Sequence, residues 1–307
     1  MINMKLTKPI NILVKRRAAI GDVIMTTGVV RELKRKYGKN ANIMVATDCI
    51  EVYKNNPHIT SVVPFDAADA NRFDVVYNLD DCYEYNPGVH YVGAYFHRVF
   101  GDAHVNMAVE LFPAEEDRTR VLNLQREHKL GRYIVVHMRN WHWQAKNIDL
   151  SVWFDVYAKL FETRDDFAIV TVGGNTDHTV EHPNFVDLRG QLNSQEMMLL
   201  CNDAAAFVGI DSGPMQCAAA SDTNIVALLT HLLPERIMPF RKWDTDYKAI
   251  AISSSEDCTG CNDRQQHPVR QIVCEKTDYP CTRNFDTDAI AQAILKTLWK
   301  YTDTRVL

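Results

Sequence analysis

The 307-residue sequence predicts an α/β fold of two Rossmann-like domains, whose mostly parallel sheets face a central cleft. Two observations lead to this prediction. In both halves of the chain, short apolar runs typical of buried parallel strands alternate with stretches of helical periodicity. In each half, one such run ends in a small-residue turn that carries an aspartate. Open α/β sheets bind their ligands at this end of the strands.

The first half contains four apolar runs that we expect to be strands, at residues 12–14, 42–46, 59–65 and 73–79. Helices are expected over residues 29–37 and 91–100, because apolar residues recur there every three or four positions. The segment 117–131 is rich in charged residues and is interpreted as the end of the first domain and a linker.

The second half repeats the alternation, with strands expected at residues 133–137, 167–172, 207–210 and 225–229. The predicted domains span residues 1–125 and 126–285, with a cysteine-rich loop at 258–281. Residues 286–307 form a C-terminal helix that we expect to pack back across the domains. Neither domain carries a GxGxxG fingerprint, so a dinucleotide-dependent dehydrogenase is not favoured.

Composition excludes several classes of protein. The net charge of −5 argues against a nucleic-acid partner and against a basic, membrane-associated surface. No apolar run approaches the roughly 18 residues that a membrane span needs. The N-terminus lacks the apolar core of a signal peptide, so we expect a cytoplasmic protein. Eight cysteines in a chain of this length do not indicate a secreted disulfide scaffold.

The turn after the first strand contains Gly21 and Asp22. Gly21 allows a tight turn or a close approach to a ligand. Asp22 has two interpretations. It can cap the following helix by accepting a hydrogen bond from a backbone N–H, or it can act as a general base at the mouth of the cleft.

The matching turn of the second half is Gly209-Ile210-Asp211-Ser212-Gly213-Pro214. Free N–H groups at the start of the following helix favour an anion, Ser212 adds a hydroxyl, and Gly213 permits close approach of a phosphate. Asp211 would repel a phosphate, so it is better suited to accept a hydrogen bond from a sugar hydroxyl. The alternative is an ordinary βα turn with an aspartate cap.

The stretch from Arg139 to Lys146 follows another predicted strand. Lys146 can therefore reach the same cleft and supply a positive charge for a diphosphate, although a lone lysine is more often solvated surface. Trp141 and Trp143 lie between these residues and can stack on a base or sugar, or serve only as packing residues.

Four cysteines, Cys258, Cys261, Cys274 and Cys281, fall within 24 residues. Thiolates at such spacings can hold zinc or iron in a closed, structural site. The alternatives are a loop of reduced thiols without a metal, or a disulfide between the first two. His267 is a substitute ligand candidate.

Several ordered motifs resemble glycosyltransferase family 9, the heptosyltransferases, which have the GT-B architecture. The motifs are ILVKRRAAIGDVIMTTGVVRELKRKYG in the first half, and GGNTD, RGQLNSQEMMLLCNDAAAFVGIDSGPM and NIVALLT in the second. The resemblance covers most of the chain. It implies an acceptor domain at residues 1–125, a donor domain at 126–285, and catalysis without a metal cofactor.

The resemblance also implies roles for individual residues. Asp22 matches the proposed base, Lys146 the lysine that neutralises the donor phosphates, and Asp177 an acidic residue that contacts the nucleoside. Asp211, Ser212 and Gly213 match the segment that holds the sugar and the diphosphate. Apart from the resemblance, Arg139 is hypothesised to be a further cation for the departing diphosphate. Gln216 stands where the family usually has histidine. Glutamine can donate a hydrogen bond but carries no charge, which leaves the identity of the donor open.

The predicted function is inverting transfer of a sugar from a nucleotide-diphospho-sugar, ADP-heptose first, to a hydroxyl acceptor. The acceptor is a lipopolysaccharide core or a protein side chain. Three alternatives stay open: a sugar-nucleotide epimerase of the same fold, a non-catalytic sugar-nucleotide binding protein, and an interaction module built on the cysteine loop.

Overall fold

The computed structural model describes residues 8–84, 86, 88–241, 248–264 and 273–300. His267, the substitute ligand candidate, lies outside these ranges. Among the described residues, we find no helix with the length and hydropathy that a membrane crossing requires.

The first sheet has four described strands, all parallel, in the order β3-β2-β1-β4. They are β1 (Ile10–Lys15), β2 (Ala41–Ala46), β3 (Ser61–Val63) and β4 (Val75–Asn78). The helices of this half are α1 (Ile20–Met25), α2 (Thr27–Tyr37), α3 (Tyr91–Phe100) and α4 (Glu115–Glu127). All four predicted strands and both predicted helices are confirmed, although β3 is shorter than expected.

The second sheet has six described strands, also all parallel, in the order β10-β9-β8-β5-β6-β7. They are β5 (Tyr133–His137), β6 (Ala168–Thr171), β7 (Phe185–Asp187), β8 (Ala206–Gly209), β9 (Asn224–Leu229) and β10 (Ala249–Ser253). The edge strands β7 and β10 were not predicted. The predicted α/β class with two parallel sheets is confirmed.

The helices of the second half are α5 (Leu150–Thr163), α6 (Ser194–Asn202), α7 (Gly213–Ala219), α8 (Pro234–Ile237), α9 (Cys261–Arg264) and α10 (Thr287–Lys300). The C-terminal helix α10 buries Ile290, Ile294 and Leu298, the face that its periodicity indicates. This face packs on α5 and on the second sheet, so α10 belongs to the second domain.

The charged segment 117–131, expected to be a linker, is mostly helix α4. The carboxylate of Asp117 accepts a hydrogen bond from the N–H of Ala114 at 2.8 Å and so caps the helix start. Near its end, the Gln125 amide donates to the Tyr133 hydroxyl at 3.0 Å. The charged residues form the outer face of a helix docked on the second domain, which explains why their composition resembled a linker.

The two domains touch where their aspartate-bearing turns meet. A methyl group added to Gly21 would lie 3.3 Å from the Cα atom of Gly213, and one added to Gly213 would lie 2.7 Å from Cγ2 of Ile20. Larger side chains would therefore push the turns apart. Because both glycines lack a Cβ atom, helix α1 of the first domain packs against helix α7 of the second.

Candidate active site

A cavity of about 750 Å³ lies between the two domains. All the catalytic and donor-binding residues predicted from the sequence line it: Gly21, Asp22, Arg139, Lys146, Asp177, Asp211, Ser212, Gly213 and Gln216. The four cysteines of the loop are absent from the described lining, although Asn262, beside one of them, belongs to it. The structure thus brings the two predicted turns and the lysine segment together around one space.

Asp22 both caps a helix and faces the cavity. It lies in the first turn of α1, where its Oδ2 accepts a hydrogen bond from the N–H of Ala19 at 3.3 Å. Its Oδ1 accepts hydrogen bonds from the hydroxyls of Tyr83 at 2.6 Å and Tyr95 at 3.1 Å. The guanidinium of Arg16 lies 3.0 Å from the same oxygen. The carboxylate is fixed in place but keeps 16% of its side-chain surface exposed.

The two tyrosines act as hydrogen-bond donors to Asp22. Burial first, and then the negative charge of Asp22, raises the pKa of Tyr83 and of Tyr95 well above the usual value for a phenol. Both hydroxyls therefore keep their protons. Local sequence patterns do not indicate the two tyrosines, because they are 61 and 73 positions away from Asp22 along the chain. Arg16 directly follows β1 and was also not among the predicted site residues.

The support of Asp22 extends to the second domain. The ring of Tyr83 stacks on Tyr91 with centroids 3.7 Å apart and an interplanar angle of 11°. The guanidinium of Arg236, which belongs to helix α8, lies 5.3 Å from the centroid of the Tyr91 ring. It also donates a hydrogen bond to the carbonyl of Asn86 at 3.4 Å. A stack of three side chains thus joins the second domain to the tyrosine that holds Asp22.

On the opposite wall, Lys146 is largely buried and paired. Its Nζ lies 2.7 Å from Oδ2 of Asp211, and 5.4 Å from the ring centroid of Trp143. The Thr230 hydroxyl donates to the carbonyl of Ala145 and fixes the short turn that carries the lysine. Lys146 is therefore not solvated surface, the alternative that its sequence context favoured.

Arg139 adds a second positive charge beside Lys146. Burial lowers the pKa of Arg139, and the negative charges of Asp211 and Asp177 oppose this decrease. The guanidinium stays charged in both cases. Its Nε is buried without a hydrogen-bond partner. Burial, and then the charges of Lys146 and Arg139, holds the pKa of His231 well below its ordinary value. His231 is thus a neutral lining residue on a positively charged wall.

His137, at the end of β5, connects two of the predicted site residues. Its Nδ1 lies 3.0 Å from Oγ of Ser212, and its Nε2 lies 3.0 Å from Oδ2 of Asp177. Burial tends to raise the pKa of Asp177, but the hydrogen bond and charge of His137 and the N–H groups of Asn140 and Gly174 outweigh it. The pKa is lowered, so Asp177 is a fixed carboxylate at the cavity wall.

Trp141 stands at the mouth of the cavity with 49% of its surface exposed. Its backbone is held by Asn147, which accepts a hydrogen bond from its N–H at 3.0 Å and donates one to its carbonyl at 2.6 Å. A half-exposed indole is not a core residue, so the packing interpretation does not apply to Trp141. Trp143 is half-buried beside Lys146.

The four cysteines of the loop lie near one another. None of the eight cysteines of the chain, all within the described ranges, forms a disulfide. Cys281 is buried, and burial followed by the nearby thiols of Cys258, Cys261 and Cys274 raises its pKa to about 12. A thiol in this setting ionises readily only when a metal ion or another strong cation binds its thiolate form.

A tighter group of potential ligands lies at one edge of the cysteines. Within the described residues, Glu256, Asp257 and Cys258 are the set whose ligand atoms all lie within 4.8 Å of one another. Lys276 pairs with both carboxylates, at 3.0 Å from Oε2 of Glu256 and in close contact with Asp257. Lys276 offsets part of the negative charge of these carboxylates, and the thiols are the ligands best suited to a soft metal ion here.

Two facing parallel-sheet domains, with a carboxylate and cations on opposite walls of the cleft, have the GT-B architecture of nucleotide-sugar glycosyltransferases. The comparisons with known proteins identify the family. A family model described as glycosyltransferase family 9 (heptosyltransferase) matches residues 104–268, more than half of the chain. The chain therefore belongs to this family and is a glycosyltransferase, as the resemblance implied. Asp22 lies outside the matched segment.

Solved structures show the same fold at low sequence identity. A family 9 glycosyltransferase from Veillonella parvula is 15% identical, with 96% of this chain and 98% of that chain covered and a TM-score of 0.70. The iron-containing dodecameric glycosyltransferase TibC from enterotoxigenic E. coli is 17% identical, with 97% and 80% covered and a TM-score of 0.69. E. coli ADP-heptose LPS heptosyltransferase II is 15% identical, with 94% and 99% covered and a TM-score of 0.68. No curated protein sequence matches significantly.

Proposed function

We propose that this glycosyltransferase moves a heptose from ADP-heptose to an acceptor hydroxyl in one inverting displacement, with Asp22 as the general base. The proposal rests on how the charged side chains are distributed over the two walls of one cavity. The Asp22 carboxylate occupies the first-domain wall, and the cations of Lys146 and Arg139 occupy the second. An attacking hydroxyl needs a base, and a departing diphosphate needs positive charge.

The choice of donor rests on the family and on relatives of similar fold. TibC, in a structure that is 16% identical with a TM-score of 0.67, was solved in complex with ADP-D-beta-D-heptose. E. coli heptosyltransferase WaaC was solved with ADP. Because Gln216 replaces the usual histidine of the family, the transferred sugar is the part of the donor that is most open to variation.

In the proposed reaction, Oδ2 of Asp22 takes the proton from the acceptor hydroxyl, because Oδ1 is already held by three donors. The acceptor oxygen forms a bond to the anomeric carbon as the bond to the diphosphate breaks, and the sugar inverts. The electron pair leaves with the diphosphate. Lys146 and Arg139 stabilise its negative charge, and no divalent metal ion takes part in the step as we propose it.

Asp211, Ser212, Gly213 and Asp177 complete the proposed donor site. Asp211 orients Lys146 and accepts a hydrogen bond from a sugar hydroxyl. The turn of Ser212 and Gly213 lies beside the diphosphate. Asp177, fixed by His137, contacts the nucleoside portion.

The charge of the first-domain wall favours an acceptor without anionic groups near the reacting hydroxyl. Asp22, Asp81 and Glu84 line this wall. Among its described lining residues, Arg16 is the one cation, and it is already bound to Asp22 at 3.0 Å and Glu84 at 3.1 Å. A phosphorylated lipopolysaccharide core would be repelled there, so a protein side chain is the proposed acceptor.

The test combines binding with transfer. Calorimetric titration with a panel of nucleotide sugars should show tight binding of ADP-heptose. Radiolabelled ADP-heptose should then label a serine-rich synthetic peptide with neutral or lysine flanks more than a phosphorylated core oligosaccharide. Preferential labelling of the oligosaccharide would refute the acceptor proposal. Intact donor with both acceptors would favour a binding protein, and acceptor-independent release of an altered sugar would favour an epimerase.

The cysteine loop is proposed to hold a structural metal ion, either iron or zinc, through Cys258, Cys261, Cys274 and Cys281. The thiols of Cys258, Cys261 and Cys274 lie near enough to Cys281 to raise its pKa, and this proximity and the soft character of sulphur ligands support the proposal. TibC is described as iron-containing. Elemental analysis of the purified protein should find about one equivalent of metal, which Cys281→Ser should reduce and Cys49→Ser should not. Metal-free wild-type protein with full stability would refute it.

A further inference from the structure

Gln216 has an unusual environment for a buried glutamine. It lies on helix α7, is 1% exposed and lines the cavity. Its backbone N–H bonds to the carbonyl of Ser212 at 3.2 Å, as a helix requires. Its side-chain Oε1 and Nε2, however, are both buried and find no hydrogen-bond partner among the described residues.

Another glutamine of the second domain shows the contrast. Gln195 on α6 is also 1% exposed and its Oε1 likewise lacks a partner among the described residues, but its Nε2 donates to the backbone carbonyls of Glu51 and Val52, both at 3.2 Å. Gln195 does not line the cavity. A buried amide without partners destabilises a folded chain, so an amide in that state at a cavity wall indicates a bond made to a ligand.

The chemistry of the amide restricts the ligand. Gln216 offers one acceptor and two donor hydrogens without charge. A hydroxyl group satisfies both ends, because it donates to Oε1 and accepts from Nε2. A phosphate oxygen would satisfy Nε2 alone and would be repelled by Oε1. The cavity provides Lys146 and Arg139 for phosphate, which leaves the amide for a neutral part of the ligand.

The position of the amide favours the reacting end of the donor. Helical side chains lean toward the N-terminus of their helix, so the amide of Gln216 is directed toward the turn at Ser212 and Gly213. That turn meets Gly21, beside Asp22. We propose that Gln216 binds a hydroxyl of the transferred sugar and thereby selects the donor. This inference rests on the proposed function, since it assumes a nucleotide-diphospho-sugar.

The test is a calorimetric titration of ADP-heptose and of ADP into the wild-type protein and Gln216→Met, which keeps the length of the side chain. We expect the dissociation constant of ADP-heptose to rise about tenfold or more, as two hydrogen bonds are lost, and that of ADP to stay unchanged. Gln216→Leu serves as a second variant of the same kind. Gln195→Met is the matched control and should change neither constant.

Thermal unfolding supplies a second readout that a purely structural role would not produce. Removing an unpartnered amide should raise the melting temperature of the ligand-free protein by about 2–4 °C in Gln216→Met, whereas Gln195→Met should lower it. An unchanged dissociation constant for ADP-heptose in Gln216→Met would overturn the inference. An equal loss for ADP and ADP-heptose would also overturn it, because the contact would then be with the nucleotide. A wild-type protein that binds neither ligand would instead refute the proposed function.

Discussion

The two walls of the cleft differ in how their polar groups are satisfied. On the first-domain wall, Asp22 is held at Oδ1 by Tyr83, Tyr95 and Arg16 before any ligand arrives. On the second-domain wall, the amide of Gln216 and the Nε of Arg139 are buried without partners. On the first wall the base itself is fully held and, among the described residues, only Nε of Arg16 lacks a partner, whereas the second wall leaves a whole side-chain amide for a ligand to satisfy.

This difference indicates how the work of the site is divided. A base must stand in one orientation when the acceptor arrives, and fixed dipoles around it achieve that at no cost during the reaction. A donor wall gains affinity when its buried polar groups find partners only in the complex. Each unsatisfied group destabilises the free protein by about 1–3 kcal/mol, and binding of the donor would recover that free energy.

We expect the greatest loss of transfer rate from a substitution of Asp22 on the first-domain wall. Asp22→Asn keeps a side-chain oxygen that accepts hydrogen bonds from the tyrosine hydroxyls, but its amide cannot take a proton from the substrate hydroxyl. The transfer rate should therefore fall about 10²–10⁴-fold at saturating concentrations of both substrates. The matched control is Asp117→Asn, because Asp117 caps helix α4 from the same position as Asp22 in α1 but lies away from the cavity. It should transfer at the wild-type rate. A wild-type rate for Asp22→Asn would reduce Asp22 to a helix cap.

A smaller loss of transfer rate is expected when one of the hydrogen bonds that hold Asp22 is removed. Tyr83→Phe removes the hydroxyl 2.6 Å from Asp22 but keeps the ring that stacks on Tyr91. The transfer rate should fall about tenfold, since a hydrogen bond to a charged group is lost, while donor affinity stays the same. Tyr53→Phe, which loses a buried hydroxyl bond to Thr26, is the control. Equal rates in both variants would show that the remaining donors orient Asp22 sufficiently.

The smallest effect concerns the stability of the second wall. The pKa of Asp177 is lowered in the folded state, so its carboxylate stabilises the fold above its ordinary pKa and loses that effect as the pH falls through the lowered value. Asp177→Asn should therefore lower the free energy of unfolding by about 1–2 kcal/mol at pH 7. Urea unfolding at pH 7 and near pH 3 should show the difference shrinking in acid. A difference that grows in acid would contradict this assignment.

The site residues that sequence analysis found share one property. Asp22 lies in the first turn of the helix that follows β1, and Asp211 lies in the turn that follows β8. The rule that parallel α/β sheets bind ligands at the carboxyl ends of strands places both at the cleft. Contiguous residues were enough for this prediction. Tyr83, which holds Asp22, was missed because β4 pairs with β1, which brings the segment containing this tyrosine beside the turn after β1. That pairing is a tertiary event with no local signal.

Other differences between sequence and structure have equally physical reasons. The charged segment 117–131 was taken for a linker because its polar outer face dominates its composition, whereas its capping carboxylate Asp117 signals a helix start. Strands β7 and β10 are short edge strands, with only part of their surface buried. The sequence shows that Gln216 departs from the family pattern. Its lack of partners depends on how α7 packs and appears only in three dimensions.

Whether the two walls of the cleft have separate tasks can be decided by one binding experiment. ADP-heptose is titrated by calorimetry into the wild-type protein, Asp22→Asn and Lys146→Ala. We expect a wild-type dissociation constant for Asp22→Asn, and a constant raised about 10- to 100-fold for Lys146→Ala, which loses a charge-assisted contact to the diphosphate. Equal weakening in both variants, or none in Lys146→Ala, would contradict the division of the cleft into a base wall and a donor wall.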